Sequence, residues 1–557
     1  MGGHVEIERK VEPGPDFALP DLTAVEGVAG VGEPVEHALA ATYFDTADLR
    51  LARARITLRR RTGGTDAGWH LKLPAGDGAR EERHHPLGPR RAVPPKAVLE
   101  PVLGLVRTAP VTAVATLHTT RIVTPVLAED GRVLAEVADD TVTGTAHAAA
   151  PDEAATVTSW REVEVELVEG DAALLEALVG ALVAAGAAPS DSPSKLSRVL
   201  AGRLPAPAPE PAGADAGAAD EAADLPDEAE GKKGKKGKKS KKGKKAEGGT
   251  GKGREDAAPA PVPTAADAVL GALRDQVRAL EAADQLVRTG HPDGIHDLRV
   301  ACRRLRSILA AFRPVLERTS TDPLREELRW VGASLSAARD GEVALAHLRD
   351  LVAAQPDEQV RGPVVGRLQT AAVQDAEAGR RKALRTLSDR RYLTVLDSLD
   401  ALLAAPPLAQ AATEPAPAVL ARAVRRTGKR LAARIEVARE AGEETPHEDS
   451  PLHDVRKAAK RVRYTAEVAV PVLGEPAAAL VRCMKDVQED LGSAQDTVAT
   501  RDWCQRLGRA AGAAGEPTWT WGRLYALEEA RAAACAAAFW QEEPALRAAV
   551  RAAAAEA

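Results

Sequence analysis

Five short stretches of this sequence alternate apolar and charged residues, and their charges are sorted by sign. Glu6, Glu8 and Lys10 share one strand face, opposite Ile7, Arg9 and Val11; Glu162, Glu164 and Glu166 stand opposite Val163, Val165 and Leu167. Arg59 and Arg61 share a face in Ile56–Arg61, as do His70 and Lys72 in Trp69–Leu73, while Val133–Val137 contributes Glu136. Carboxylate oxygens in such an array suit a hard divalent cation, Mg²⁺ or Mn²⁺, which a protein holds with few ligands of its own plus substrate phosphate. Arg and Lys suit phosphate oxygens, and Arg can grip two at once. The plainer reading is a solvated outer face, the usual condition of an antiparallel sheet. Surface strands tend to mix signs, however, because like charges side by side repel. A barrel with the charged face inward would be a polar tunnel for a metal-bound polyphosphate.

A second set of candidates lies on two predicted helices. His296, Arg299, Arg303 and Arg306 fall on one stripe at steps of three, four and three, backed by the apolar stripe Leu298, Cys302, Leu305 and Leu309. The pattern returns 157 residues later as His453, Arg456, Lys460 and Arg463, backed by Val455 and Val462; Arg304, Lys457 and Arg461 flank the stripes. Leu335–Asp340 likewise recurs as Leu491–Asp496, which implies duplicated helical halves. A solvated helix face normally carries Glu at i,i+4 to its bases, but Leu298–Arg306 and Val455–Arg463 hold no acid. Two such faces brought together would form a cationic groove for an extended polyanion. Nucleic acid is the competing ligand, yet its grooves interleave aromatics for stacking, and only Tyr464 lies near these stripes. Metal chelation by His296 or His453 is weaker, because neither stripe offers a second His or a carboxylate at i+4. His291, His347 and His447 lack the basic context.

The elements that must position these residues fall into three compositional segments. The chain has 557 residues, too many for one core, and 75 Lys+Arg against 81 Asp+Glu give a net charge of −6 that by itself argues against a polyanion partner. Residues 1–203 read as mostly strand, with Asp171–Ala185 the clearest helix; residues 264–557 read as almost all helix. Between them, 204–263 is an Ala/Pro/Lys/Gly-rich linker, acidic from Glu210 to Glu230 and then a lysine run from Lys232 to Lys245, with nothing to build a core. The lysine run reads as a solvated tether that would also add electrostatic capture of a polyanion. Cys302, Cys483, Cys504 and Cys535 show no C-x-x-C spacing and read as reduced thiols. The opening residues run straight into charge, and no stretch of about 18 uncharged apolar residues occurs. A soluble cytoplasmic protein without a membrane contact is therefore expected.

At these residues the chain resembles two known families. Glu6-x-Glu8-x-Lys10, Tyr43-Phe44-Asp45-Thr46 with Leu49, Leu58–Arg61, Leu71-Lys72, Arg80 with Glu82, Arg121, Glu164-Val165-Glu166, and Ser194-Lys195 with Arg198 resemble, in order, the motifs of the CYTH family of triphosphate tunnel metalloenzymes. The paired H-x-x-R…K/R-R-x-R helices, with Arg339-Asp340 and Gln495-Asp496, resemble the CHAD domain. The resemblance implies a multidomain α and β protein: an N-terminal antiparallel eight-stranded β tunnel barrel with flanking helices, and a C-terminal all-α duplicated helical bundle. Carried over, Glu6, Glu8 and Lys10 would be catalytic. Glu6, Glu8, Glu164, Glu166 and Glu162 would hold metal, with Glu136 a weaker candidate. Lys10, Arg59, Arg61, Lys72, Arg80, Arg121 and Lys195 would bind triphosphate, and Glu82 would bind metal or orient Arg80. His70, His84 and His85 remain alternative general bases. The second resemblance implies inorganic polyphosphate on His296, Arg299, Arg303, Arg304, Arg306, His453, Arg456, Lys457, Lys460, Arg461 and Arg463, with polyphosphate granules a further candidate partner. The implied activity is metal-assisted attack of water on a terminal phosphorus. A non-catalytic polyphosphate-binding protein, a class IV-type adenylate cyclase and a thiamine triphosphatase are the alternatives.

Overall fold

The structure, a computed structural model, describes residues 3–74, 79–88, 93–148, 153–204, 262–442 and 450–555. The Glu6, Arg339 and Asp340 side chains, His447 and nearly all of the expected linker with its lysine run lie outside the described residues.

Charged strands can bury only one face, and here it is the apolar one that meets helices. The strands are β1 (Gly3–Glu6), β2 (Glu8–Pro13), β3 (Gly30–Val31), β4 (Val35–Asp45), β5 (Thr57–Thr62), β6 (Gly68–Pro74), β7 (Arg80–Pro86), β8 (Thr112–Leu127), β9 (Val133–Ala146), β10 (Thr156–Leu167) and β11 (Ala187–Pro189). One-turn helices α1 (Arg50–Arg53), α2 (Lys96–Leu99) and α3 (Leu103–Val106) fill connections, and α4 (Ala172–Ala184) and α5 (Lys195–Val199) follow β10. Val11, Val137, Val163 and Val165 pack on Leu174, Leu175, Leu178 and Leu182 of α4; Leu58, Trp69, Leu71 and Leu73 pack on Val98, Val102 and Val106. Each such buried side chain contributes roughly 1.5–3 kcal/mol. The opposite, charged faces are left to line the interior.

The strand path is β1-β7-β6-β5-β4-β8-β9-β10-β2-β11, with β3 on β8. Its pairings are antiparallel. The antiparallel N-terminal sheet and the all-helical second half are those expected; the sheet has eleven strands rather than eight, and among the described residues its ladder is not closed as a barrel. Its two wings nevertheless meet in one segment, since β1 pairs with β7 and β2 with β10 while Ile7 separates them.

The second half is helical: α6 (Ala265–Thr289), α7 (Gly294–Ala311), α8 (Arg318–Ser334), α9 (Ser336–Ala353), α10 (Val364–Ser388), α11 (Arg390–Ala404), α12 (Ala416–Ala441), α13 (Pro451–Leu473), α14 (Glu475–Ala513) and α15 (Trp519–Ala555). The duplication is visible in this order: α6, α7 and the α8–α9 pair correspond to α12, α13 and the single long α14. The predicted apolar stripes, Leu298, Cys302, Leu305 and Leu309 with Val455 and Val462, are all buried. Residues just before α6 and α12, Thr264 and Pro415, form an isolated antiparallel bridge. All four cysteines are free, and burial pushes the Cys302 and Cys504 thiols up to about 12, which keeps them inert.

The described residues on either side of 205–261 form one compact unit. Arg107, at the end of α3, reaches into the helical half, where it meets Glu281 Oε1 at 3.1 Å, Asp397 Oδ1 at 3.0 Å and the Asp400 carboxylate. Its φ of 55° is unfavourable for an arginine and is held by this socket. Gly104 beside it lies against Asp284, where any Cβ would collide with the carboxylate. Arg107→Met should lower stability by roughly 2 kcal/mol, because three carboxylates lose their shared cation. An unchanged urea midpoint would show that the socket contributes nothing.

Candidate functional site

Glu164 is the hub of the enclosed charges. Its Oε1 accepts from Lys10 Nζ at 2.5 Å and Lys195 Nζ at 2.7 Å, and its Oε2 accepts from the Arg121 guanidinium. Burial alone would raise its carboxyl, but Lys10, Lys195 and Arg121 hold it well below the ordinary range. Asp140, fully buried, takes Arg121 Nε at 2.8 Å and Lys195 Nζ at 2.9 Å; Glu162 takes Lys195 at 2.6 Å and the Trp160 indole N–H at 2.6 Å. Burial opposes charge on Lys195, yet Glu164, Asp140 and Glu162 together push its ammonium up. Ser194 caps α5 by accepting from Ser197 N at 3.1 Å, and this starts the helix so that Lys195 enters the interior.

Asp140, Glu162 and Glu164 offer ligand oxygens within 4.8 Å of one another, a spacing that suits a metal ion. The Lys195 ammonium already occupies that cluster, so a second carboxylate set is the better candidate. Glu8 pairs in register with Glu166, and Glu166 with Glu136. Among the described residues no hydrogen bond or ion pair reaches the Glu166 carboxylate; burial raises its pKa, and Glu8 and Glu164 add to that against the opposing pull of Lys72. Burial works against charge on Glu8 as well, but Lys10, at 3.3 Å, keeps its carboxyl low. Glu136 is exposed at the end of this row. An oxygen-only set with surplus negative charge fits a hard divalent cation.

Across the enclosure the surplus is positive. Glu82 takes His70 Nδ1 at 2.7 Å, Lys72 Nζ at 3.7 Å and Arg59 Nη2 at 3.8 Å. It therefore belongs to the cation set and orders it. Arg61 pairs with Asp66, and burial beside Arg59 and Arg121 drives its guanidinium down to about 10. Arg80, paired through its backbone with Glu6, donates to Pro193 O at 3.3 Å. His70 is buried with both ring nitrogens engaged, and burial lowers its pKa, whereas His84 stacks edge-on to it at 5.0 Å and His85 meets the Pro86 carbonyl. The Tyr43–Thr46 motif is mainly architectural: buried Asp45 accepts from the backbone N–H groups of Thr46, Leu51 and Ala52.

In the helical half, His296, Arg299, Arg303, Arg304 and Arg306 are half-buried on α7, as are His453, Arg456 and Lys460 on α13, where Lys457 and Arg461 are exposed. Arg463 is the exception. It is 5% exposed and donates to Glu467 at 3.0 Å and Gln488 at 3.2 Å, so it braces the core rather than a groove surface. Arg304 reaches the same Glu467 at 3.5 Å. Tyr464 is buried between these two guanidinium groups and presents no stacking platform. Burial lowers the His453 imidazole, assisted by Lys457 and Arg456.

The sequence reading missed a third basic helix. Arg430 and Arg434 of α12 line a cavity of about 530 Å³ with Asp454, Lys457 and Arg461 of α13. Burial and then Arg430, Arg325 and Arg313 lower the Arg461 guanidinium; burial, Arg325 and Arg329 lower Arg306. The signal was available, because α12 carries six bases and no acid from Ala416 to Ile435. Asp140 was missed too, although it shares the strand face of Glu136.

The family model described as CYTH domain matches residues 4–199, and that described as CHAD domain matches 271–505. An uncharacterized protein of Mycobacterium tuberculosis, MT2285, is 35% identical over 542 residues, covering 96% of this chain and 94% of its own. Among solved structures, PptA from Streptomyces chartreusis aligns with 50% of this chain and 99% of its own at 20% identity and a TM-score of 0.40. The CHAD domain from the plant Ricinus communis aligns with 52% of this chain and 92% of its own at 26% identity and a TM-score of 0.39. Among the described residues no helix is long and apolar enough to cross a membrane.

The hub gives stability a pH dependence. Glu164 lies below its ordinary value of 4.5 when folded, so its contribution is present above that value and is lost as pH falls through the folded pKa. Lys10 lies above its ordinary 10.5, so its contribution fades only as pH rises beyond that. Glu164→Gln should cost about 3–5 kcal/mol at neutral pH and flatten the acid limb. Melting curves from pH 3 to 7 that coincide for variant and parent would refute the hub.

Proposed function

The chain belongs to the family in which a CYTH domain is followed by a CHAD domain, and from this we propose that its tunnel hydrolyses inorganic triphosphate, or another short triphosphate-bearing substrate, while its helical half binds inorganic polyphosphate. One observation carries the reading: the strands gather the Glu8 and Glu166 carboxylates at one place and the Arg59, Arg61 and Lys72 cations around Glu82 at another. A metal-bound polyphosphate presents the complementary pair of charges.

Mg²⁺ or Mn²⁺ held by Glu8 and Glu166, with Glu136 and Glu164 on the same strand faces, would supply an activated water and neutralise phosphate charge. The chain's own residues do the rest. Arg59, Arg61 and Lys72 bind the phosphate oxygens, and Arg121, Lys10 and Lys195 extend the cation set while remaining paired with Glu164. Glu82 orders Arg59 and Lys72, so their charges meet a loose transition state without reorganising. Attack by water requires no covalent nucleophile. On the helices, Arg303, Lys460 and Arg461, joined by Arg430 and Arg434, bind the polyanion through charge, which makes binding salt-dependent.

The saturation of Lys10, Arg121 and Lys195 by internal carboxylates favours a second reading, a tunnel that binds without turnover. Phosphate release from inorganic triphosphate with and without Mg²⁺ separates the two. Glu8→Gln combined with Glu166→Gln should lower release by about a hundredfold or more. No release by the parent chain, or equal release by the variant, would sink the hydrolytic reading. The same panel, run with ATP and thiamine triphosphate, distinguishes cyclase and thiamine triphosphatase activity. For the helices, Arg303→Glu combined with Lys460→Glu should weaken polyphosphate binding at least about tenfold with the helical circular dichroism intact. Unchanged affinity would remove the groove.

A further inference from the structure

Most cations of the enclosure are matched by acids on strands. Arg61 differs: its ion-pair partner, Asp66, sits on the five-residue turn between β5 and β6. The Arg61 side chain is 11% exposed and that of Asp66 48%, so the carboxylate touches a buried guanidinium on one side and solvent on the other. Gly63 and Gly64 carry φ of 81° and 73° and turn the chain back over Arg61. A Cβ at Gly63 would collide with the Ala38 carbonyl, so this turn is built for its path. A second strap holds residue 66 itself, since His70 Nε2 lies 2.9 Å from the Asp66 carbonyl oxygen. The same ring's Nδ1 lies 2.7 Å from the Glu82 carboxylate, so the imidazole spans from the turn to the group that orders Arg59 and Lys72.

A carboxylate on a guanidinium makes the same contact as two phosphate oxygens. Without it Arg61 would keep only the more distant Glu82 against the like charges of Arg59 and Arg121. We propose that Asp66 is a specificity-determining residue of the tunnel: a rim anion that occupies the outermost phosphate position on Arg61, yields it to the end of a short chain, and repels any chain that runs on past it. The proposal rests on the tunnel reading above. A terminal phosphate at Arg61 displaces the carboxylate toward solvent, which the half-exposed turn allows. A longer chain must thread its next phosphates past the displaced carboxylate, and each brings another negative charge to it.

The test uses the full chain carrying Arg303→Glu and Lys460→Glu, so that the helical half contributes little binding. Inorganic triphosphate and a longer linear polyphosphate are titrated by calorimetry, with Asp66 retained, changed to Asn or changed to Glu. Asp66→Asn should tighten triphosphate binding about three- to tenfold, and the longer chain by a larger factor. Asp66→Glu, which keeps the charge, should preserve the parent's preference for the short chain. In the hydrolysis assay the same Asp66→Asn change should lower KM with kcat nearly constant, a split that a damaged fold would not produce. Equal or weaker triphosphate binding by Asp66→Asn, or an unchanged ratio between the two chain lengths, overturns the proposal. Binding that follows these expectations without any phosphate release supports the rim role and defeats only the hydrolytic reading. Triphosphate binding absent from parent and variant alike overturns both.

Discussion

The burial of Glu164 among Lys10, Arg121 and Lys195 is the interaction on which the β-rich half depends. A carboxylate 6% exposed cannot stand alone in a poorly polarisable interior. Its three partners come from β2, β8 and α5, elements far apart in the chain, so satisfying one charge fixes the N-terminal strand, a central strand and a terminal helix together. With charge filling the inside, the apolar faces of the same strands must find cover outside, on α4 and on the α2–α3 turns. The sheet is thus inside-out relative to an ordinary two-layer domain, and Glu164 is the reason that arrangement holds.

Compensation among the inward charges is uneven. Near α5, Asp140, Glu162 and Glu164 are met by Lys10, Arg121 and Lys195, so the tightest carboxylate cluster is also the most fully neutralised. Geometry alone would put a metal there; the resident ammonium argues for the Glu8–Glu166 row instead. Structural ion pairs and ligand sites are built from the same residue types. They are told apart by how fully each charge is met, here a Glu166 carboxyl raised by burial and an Arg61 guanidinium that burial and its cationic neighbours lower to about 10 even beside Asp66.

Strict alternation made the charged strands legible, because period two is a property of the backbone and survives any tertiary context. β4 and β8 escaped for a physical reason. At one end their inward residues, Ala41, Tyr43 and Leu117, pack with Leu196 and Val199 of α5, so the inward face carries no charge there and the sorted-charge pattern of the other strands is missing. Pro125 within β8 hides it further. The partners of Glu82 were likewise beyond a one-dimensional reading: motif order set it beside Arg80, whereas cross-strand register delivers it to Lys72 and His70. The docking of the two halves could not be inferred from composition, since it rests on scattered contacts such as Arg107 with Glu281, Gly104 against Asp284, Arg288 with the Glu100 carbonyl and Arg83 with the Thr289 carbonyl.

Arg463 shows where a sequence stripe and a functional surface part company. At about 100° per residue, steps of three, four and three do not return to the same azimuth; the fourth position drifts about 80° from the first, toward the apolar side. Val455, Val462 and Ala466 define that side on α13, and Arg463 lies on its border, while Lys457 lies nearly opposite. The drift turns Arg463 into a brace, fixed by Glu467 and Gln488, and leaves Lys457 and Arg461 to face Arg430 and Arg434 of α12. The same arithmetic places Arg306 on the border of α7, where it is half-buried beside Arg325 and Arg329. The cationic surface of these helices is therefore centred farther from the apolar stripe than the H-x-x-R pattern suggests, toward α12. The net charge of −6 conceals this completely, because the acids that balance these arginines lie elsewhere in the chain.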